Sequence, residues 1–131
     1  FYENVYVAQI SLGANMMQAI NAFKEAQEYN GVSLIIAYCP CINHGIDMSK
    51  SSDVMKLAVQ TGYFDLFRYN PASDAKMIID SKPVKPFDDF VLSENRYKIL
   101  KRENEELFNI DVNLAKQDAE NFRKFLESKK V

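Results

Sequence analysis

The alternation of hydrophobic and polar residues in the first half of the chain predicts strands and helices in turn. Runs of β-branched, aromatic and aliphatic residues predict three strands, at Val5–Ile10, Ser33–Tyr38 and Phe64–Tyr69. Apolar side chains that recur every three or four residues predict two helices between them, over Ala14–Glu28 and Ser51–Gly62. The second run is almost continuously apolar, which is typical of a strand buried on both faces, so we expect it at the centre of a sheet. This order favours an α/β fold, with part of an open, mainly parallel sheet flanked by helices.

The second half of the chain has a different pattern. From Pro71 to Phe90, three prolines and weak periodicity predict an extended arm with one short strand. One or two helices follow, and Asn104–Ser128 has the periodicity of a long amphipathic helix. Its predicted apolar stripe comprises Leu107, Ile110, Leu114, Phe122, Phe125 and Leu126. We therefore expect an α/β unit over residues 1-100 and a C-terminal amphipathic helical arm over residues 101-131.

Composition and charge exclude several classes of protein. The 131 residues include 16 Lys and Arg against 18 Asp and Glu, which gives a formal net charge of -2. Both signs are interspersed, whereas a nucleic-acid-binding surface gathers basic residues on one face. No apolar run approaches the roughly 20 residues that cross a bilayer. We therefore expect a soluble, cytoplasmic protein with neither a nucleic acid nor a membrane as its partner.

The segment after the second predicted strand carries the candidate chemistry. Cys39 and Cys41 flank a proline, and Asn43, His44 and Gly45 follow. In open α/β sheets, ligands bind beyond the carboxyl ends of the strands, where this segment is predicted. From spacing alone, a cysteine here is a structural thiol, a nucleophile, or one ligand of a metal or cluster shared with other segments. For His44, a hydrogen bond within the loop is favoured over general-base catalysis.

Four ordered blocks of the sequence resemble the C-terminal end of pyruvate:ferredoxin (flavodoxin) oxidoreductases. The blocks are Val5–Asn15, Ser33–Tyr38 with Cys41–Gly45, Gly62–Pro71, and Asp80–Pro83. The resemblance extends from about Val5 to Leu100, and the remaining tail is similar only in being helical and charged. It implies that the chain is a piece of a longer enzyme. The Phe at position 1, directly before a predicted strand, favours the same interpretation.

The resemblance implies the function of that parent enzyme. The family oxidatively decarboxylates pyruvate with coenzyme A to acetyl-CoA and CO2, using thiamine diphosphate and Mg2+, and passes electrons through [4Fe-4S] clusters to ferredoxin or flavodoxin. Residues 1-100 are then the C-terminal part of the thiamine-diphosphate-binding domain of a homodimer. Because the thiamine site lies upstream in the family, we expect the chain alone to have no catalytic residue, to bind none of these cofactors and to be inactive.

The resemblance also assigns roles to individual residues. Cys41 matches the family's fourth thiolate ligand of the [4Fe-4S] cluster nearest the thiamine diphosphate, and the other three cysteines lie upstream in the family. Cys39 matches no ligand position, and Asn43 and His44 are expected beside the cluster without binding it. Three cations are weaker candidates for contacts with coenzyme A phosphates or an acidic ferredoxin: Arg68, Lys82 and Lys85.

Two alternatives stay open at this point. One is an oxidoreductase that acts on another 2-oxo acid, since the residues that select the substrate are expected outside this chain. The other is a non-catalytic α/β interaction module that docks onto a larger assembly through its apolar helical stripe.

Overall fold

The sheet of the computed structural model, which describes residues 3–130, contains four strands in the order β2-β1-β3-β4. The strands are β1 (Val5–Ile10), β2 (Val32–Ala37), β3 (Phe67–Tyr69) and β4 (Met77–Ile79). The helices are α1 (Met16–Glu28), α2 (Ser51–Gln60), α3 (Phe87–Val91), α4 (Asn95–Glu103) and α5 (Glu105–Ser128). The predicted α/β class, with flanking helices and a C-terminal helix, is confirmed. Residues 1, 2 and 131 of the two predicted units lie outside the described residues, and the division after residue 100 stays a prediction.

The sheet is mixed, because β1 and β2 pair in parallel whereas β3 pairs antiparallel with both β1 and β4. The expectation that β3 continues a parallel sheet is wrong. The reason is that α2 does not cross back over the sheet. Its buried Val54 and Ala58 pack in a cluster with α3 and α5, and its Ser52 hydroxyl contacts the Gly13 carbonyl just after β1. The chain therefore enters β3 from the carboxyl end of β1 and runs back.

β2 lies at an edge of the described sheet, so its predicted central position is wrong. Val32, Leu34 and Ile36 are 69%, 50% and 40% exposed. Their register with β1 places them on the same sheet face as Val7, which packs with Leu126 of α5. The packing partners of Leu126 come from β1, β3 and β4, so this face of β2 is left open. Within residues 3–130, no strand pairs with the outer edge of β2, although the composition of β2 is typical of a buried strand.

The predicted first helix is confirmed, and α1 packs on the sheet through its smallest residues. The Asn15 side chain caps the helix by accepting a hydrogen bond from the Gln18 N–H at 3.0 Å. Ala19 and Ala22 are buried against β1. Larger apolar residues of the helix are exposed: Met16, Met17, Ile20 and Phe23. Exposed apolar side chains therefore lie on both sides of the sheet, on β2 at the Val7 face and on the outer side of α1 at the opposite face.

The predicted C-terminal helix is confirmed, but its predicted apolar stripe is not the buried one. Phe108, Val112 and Leu126 are buried, and Leu126 alone belongs to the predicted stripe. The other five predicted members are exposed: Leu107, Ile110, Leu114, Phe122 and Phe125. α5 has apolar residues on more than one face, and contacts with α3 and with the sheet select the face that is buried.

A saturated polar cluster fixes α5 to the sheet. Arg123 Nη1 lies 2.5 Å from Asp65 Oδ1, and Arg123 Nη2 donates to the Ser81 carbonyl at 2.7 Å. The Ser81 hydroxyl donates to Asp65 and accepts from the Leu66 N–H, both at 2.9 Å. We call Asp65, Ser81 and Arg123 the Arg123 cluster.

None of the helices described in residues 3–130 combines the length and the apolar character needed to cross a bilayer.

Candidate functional site

The segment after β2 leaves the sheet at the carboxyl end of the strand. The Tyr38 N–H donates to the Ile10 carbonyl at 3.0 Å, which continues the pairing with β1 beyond the last residue of β2. Pro40 is buried, and residues 41–45 then form a tight turn, here called the Cys41 turn. The turn therefore lies where the sequence predicts ligands to bind, beyond the end of a parallel strand.

The Cys41 turn is a single turn of 3-10 helix with a fixed position. The His44 N–H donates to the Cys41 carbonyl at 3.0 Å, and the Gly45 N–H donates to the Ile42 carbonyl at 2.9 Å. Gly45 has φ 73°, which favours glycine because it has no Cβ. A Cβ at this position would lie 2.5 Å from the Asn95 Cβ, so the turn lies directly against the start of α4.

The two thiols of the segment differ in their contacts. Both cysteines are free and exposed. The Cys39 thiol lies 3.8 Å from the Pro40 carbonyl as a donor, whereas the Cys41 thiol has no hydrogen bond among the described residues. Cluster irons are bound by cysteine sulfur, and the exposed Cys41 sulfur lies at the first residue of a fixed turn without a hydrogen bond. No three His, Cys, Asp or Glu side chains of the described part lie close enough together to hold a metal ion.

A buried carboxylate, which no sequence pattern identified, lies behind the turn. Glu94 is 0% exposed, and its Oε2 accepts from Arg96 Nε at 2.6 Å. Its Oε1 lies 3.5 Å from His44 Nδ1, within ion-pair range, yet neither atom has a hydrogen-bond partner. We call His44, Glu94 and Arg96 the Glu94 cluster. The one signal in the sequence that could have identified Glu94 is its position directly before a predicted helix. Ser, Thr, Asp or Asn is preferred at such an N-cap position, so a Glu there is unusual.

Aromatic rings form a layer beside the turn. The Tyr38 ring lies 5.3 Å from Phe64 and 6.3 Å from Phe90, and the Tyr63 ring lies 4.1 Å from Phe90. Burial, assisted by the Glu94 charge, raises the pKa of Tyr38. Burial also raises the pKa of Tyr97 to about 12, with the neighbouring Tyr63 adding to the effect. Both phenols are therefore neutral near pH 7, so neither supplies a base.

The remaining predicted residues do not form one site: Asn43 lies on the turn, whereas Arg68 is engaged elsewhere and two lysines are exposed. Asn43 is exposed on the turn and has no hydrogen bond among residues 3–130. Arg68 forms a bidentate pair with Asp80, with both distances 2.9 Å, and a further pair with Glu25. These contacts, led by Asp80, raise the pKa of Arg68 above its usual range and occupy its guanidinium. Two exposed lysines remain available for an acidic partner: Lys82 and Lys85.

Comparison with known proteins finds close relatives of nearly the whole chain. It is 44% identical, over 96% of its length, to the pyruvate:ferredoxin oxidoreductase of Moorella thermoacetica. It is 39% identical, over 90% of its length, to the pyruvate-flavodoxin oxidoreductase of Klebsiella pneumoniae, and 40% identical, over 81%, to a pyruvate dehydrogenase (NADP(+)) of Cryptosporidium parvum. The chain spans only 12%, 11% and 6% of these proteins. No family model matches it.

Proposed function

We propose, because the chain belongs to the pyruvate:ferredoxin (flavodoxin) oxidoreductase family, that its parent protein oxidatively decarboxylates pyruvate with coenzyme A. The products are acetyl-CoA and CO2, and electrons pass through [4Fe-4S] clusters to ferredoxin or flavodoxin. The observation that carries this proposal is the identity of 39% to 46% with such enzymes over at least 80% of the chain. Thiamine diphosphate and Mg2+ bind in the parent outside this segment, which is inactive alone.

In that activity, this chain supplies one sulfur ligand to a [4Fe-4S] cluster. Cys41 is the residue that would bind the cluster, because its thiol is exposed and free at the start of a fixed turn. A [4Fe-4S] cluster supplies single-electron transfer when bound. Asn43 and His44 share the turn with Cys41, so they are placed to tune the surroundings of the sulfur without ligating it.

The exposed apolar surface supports a role inside a larger protein. Monomeric soluble proteins rarely expose contiguous apolar patches beyond a few hundred Å². The outer edge of β2 and the outer face of α1 are the described surfaces that the rest of the parent enzyme would cover, as both are apolar and uncovered. A homodimeric parent in the cytoplasm completes the proposal. Free, exposed cysteines fit a reducing compartment.

Two other functions compete with this one. The first is an oxidoreductase for another 2-oxo acid, which the chain does not distinguish because no described residue is assigned to the substrate. The second is a non-catalytic interaction module, which is disfavoured because the relatives named above are oxidoreductases.

Steady-state turnover of the full-length protein tests the proposal. The purified enzyme is assayed without oxygen, with pyruvate or 2-oxoglutarate, with and without coenzyme A, and with reduced ferredoxin or flavodoxin as the readout. We expect kcat/KM for pyruvate to exceed that for 2-oxoglutarate by about tenfold or more, and turnover to require coenzyme A. A higher kcat/KM with 2-oxoglutarate would change the assigned substrate, and no acceptor reduction with either acid would contradict the enzyme class.

A further inference from the structure

We propose that Glu94 is a positioning residue that holds the Cys41 turn in place through His44, so that the Cys41 sulfur is fixed for cluster binding. The inference rests on the proposed function, because it concerns the residue assigned there as a ligand. Glu94 contacts neither the cysteine nor a cofactor, and acts through the turn.

The environment of Glu94 favours a specific partner for its free oxygen. A buried carboxylate is costly unless its oxygens accept hydrogen bonds. Arg96 satisfies Oε2, and the titratable group facing Oε1 is His44 Nδ1 at 3.5 Å. Besides burial, the Glu94 charge raises the pKa of both Tyr38 and Tyr97, but neither phenol donates a hydrogen bond to Glu94 in the structure. A small movement of the imidazole would bring two buried, unpartnered atoms into a hydrogen bond.

His44 links this carboxylate to Cys41. The same residue that faces Glu94 also closes the turn, since its N–H donates to the Cys41 carbonyl at 3.0 Å. The next residue of the helix start, Asn95, lies against Gly45 so closely that no side chain fits between them. Two consecutive residues therefore lie against the turn: Glu94 faces His44, and Asn95 packs against Gly45.

Helix capping does not explain Glu94. It occupies the N-cap position of α4, yet its side chain makes no hydrogen bond to the free N–H groups of that helix. A residue selected to stabilise α4 would use those donors. The carboxylate instead lies between Arg96 and the turn, with Oε2 bonded to Arg96 and Oε1 facing His44.

The test uses the full-length enzyme with three single variants: Glu94→Ala, Glu94→Gln and the control Glu103→Gln, whose acid is exposed on the same helix. Iron per protomer and the EPR spectrum of the reduced protein report the clusters, and hydrogen exchange of peptides over residues 38–46 reports the turn. We expect Glu94→Ala to lose the iron and the signal of one cluster and to exchange about tenfold faster in the turn. Glu94→Gln should retain the iron, because the amide keeps the volume and can hydrogen-bond both neighbours, but with an altered line shape for that cluster. The control should match the wild type.

A folded Glu94→Ala protein with wild-type iron, EPR spectrum and turn exchange would overturn the inference. If that variant does not fold, Glu94→Gln decides, and a wild-type spectrum with wild-type exchange overturns it. A Cys41→Ala arm separates this inference from the proposed function. Undiminished iron in Cys41→Ala removes the ligand assignment itself, whereas loss of the cluster there with a wild-type cluster in both Glu94 variants overturns only the role of Glu94.

Discussion

Two clusters of charged side chains, each built around a buried carboxylate, lie between a helix and the rest of this molecule, and they differ in how completely their atoms are paired. In the Arg123 cluster, Asp65 accepts from both Arg123 and Ser81, and Ser81 also accepts from a backbone N–H. In the Glu94 cluster, Glu94 Oε1 and His44 Nδ1 are buried without a hydrogen bond. A saturated cluster is explained by the fold alone, whereas an unpaired buried atom needs a further explanation. The comparison therefore assigns the first cluster to stability and the second to the turn that presents Cys41.

The largest effect expected from this comparison comes from Arg123→Met. The substitution keeps much of the side-chain volume but leaves Asp65, whose side chain is 2% exposed, without its cation. Breaking a buried ion pair in this way costs about 3–5 kcal/mol. Amide exchange of peptides from α5 in the full-length protein should accelerate by about a hundredfold or more. The exposed neighbour is the control, and Lys124→Met should change exchange little; equal effects of both variants would show that the cluster does not hold α5.

A smaller effect is expected for Ser81→Ala in the same cluster. The change removes a donor to Asp65 and leaves the buried Leu66 N–H without its acceptor, which costs about 1–3 kcal/mol. Ser33→Ala is a matched control, because that hydroxyl donates to the Ala26 carbonyl at an exposed position. Exchange of β3 peptides should rise clearly for Ser81→Ala and hardly for Ser33→Ala. The reverse order would contradict a saturated, buried cluster.

The smallest effect concerns pH beside the Glu94 cluster. The pKa of Tyr97 is raised from 10.0 to about 12, mainly by burial. A folded-state pKa above the unfolded value favours the neutral phenol in the folded protein, so the stabilisation is complete below pH 10 and is lost as pH rises toward 12. The melting temperature of wild type should therefore fall relative to that of Tyr97→Phe between pH 10 and 12, compared with their difference at pH 9. Parallel curves over this interval would show that the Tyr97 phenol ionises equally well when folded.

Local patterns predicted the elements of this fold well, because they depend on neighbouring residues. The apolar run of β1, the Asn15 cap of α1 and the long periodicity of α5 each identify their element without knowledge of the rest. The location of Cys41 beyond a strand follows from the same local reasoning.

Burial depended on partners that the pattern does not specify. β2 has the composition of a central strand but lies at an edge within residues 3–130, because its neighbours in space are set by the whole assembly. On α5, two apolar faces were available and tertiary packing selected Phe108 and Val112. Glu94 was missed for the same reason, since only the folded chain brings it to His44, fifty positions away in the sequence.

Iron content and EPR of the full-length enzyme, measured on Cys41→Ala beside Cys39→Ala, test the central claim most directly. Both thiols are exposed and lie two positions apart, so any general disturbance of the segment affects both variants. We expect Cys41→Ala to lose the iron and the signal of one [4Fe-4S] cluster together with electron transfer to ferredoxin, while Cys39→Ala stays close to the wild type. A Cys41→Ala protein with undiminished iron and an unchanged spectrum would contradict the claim.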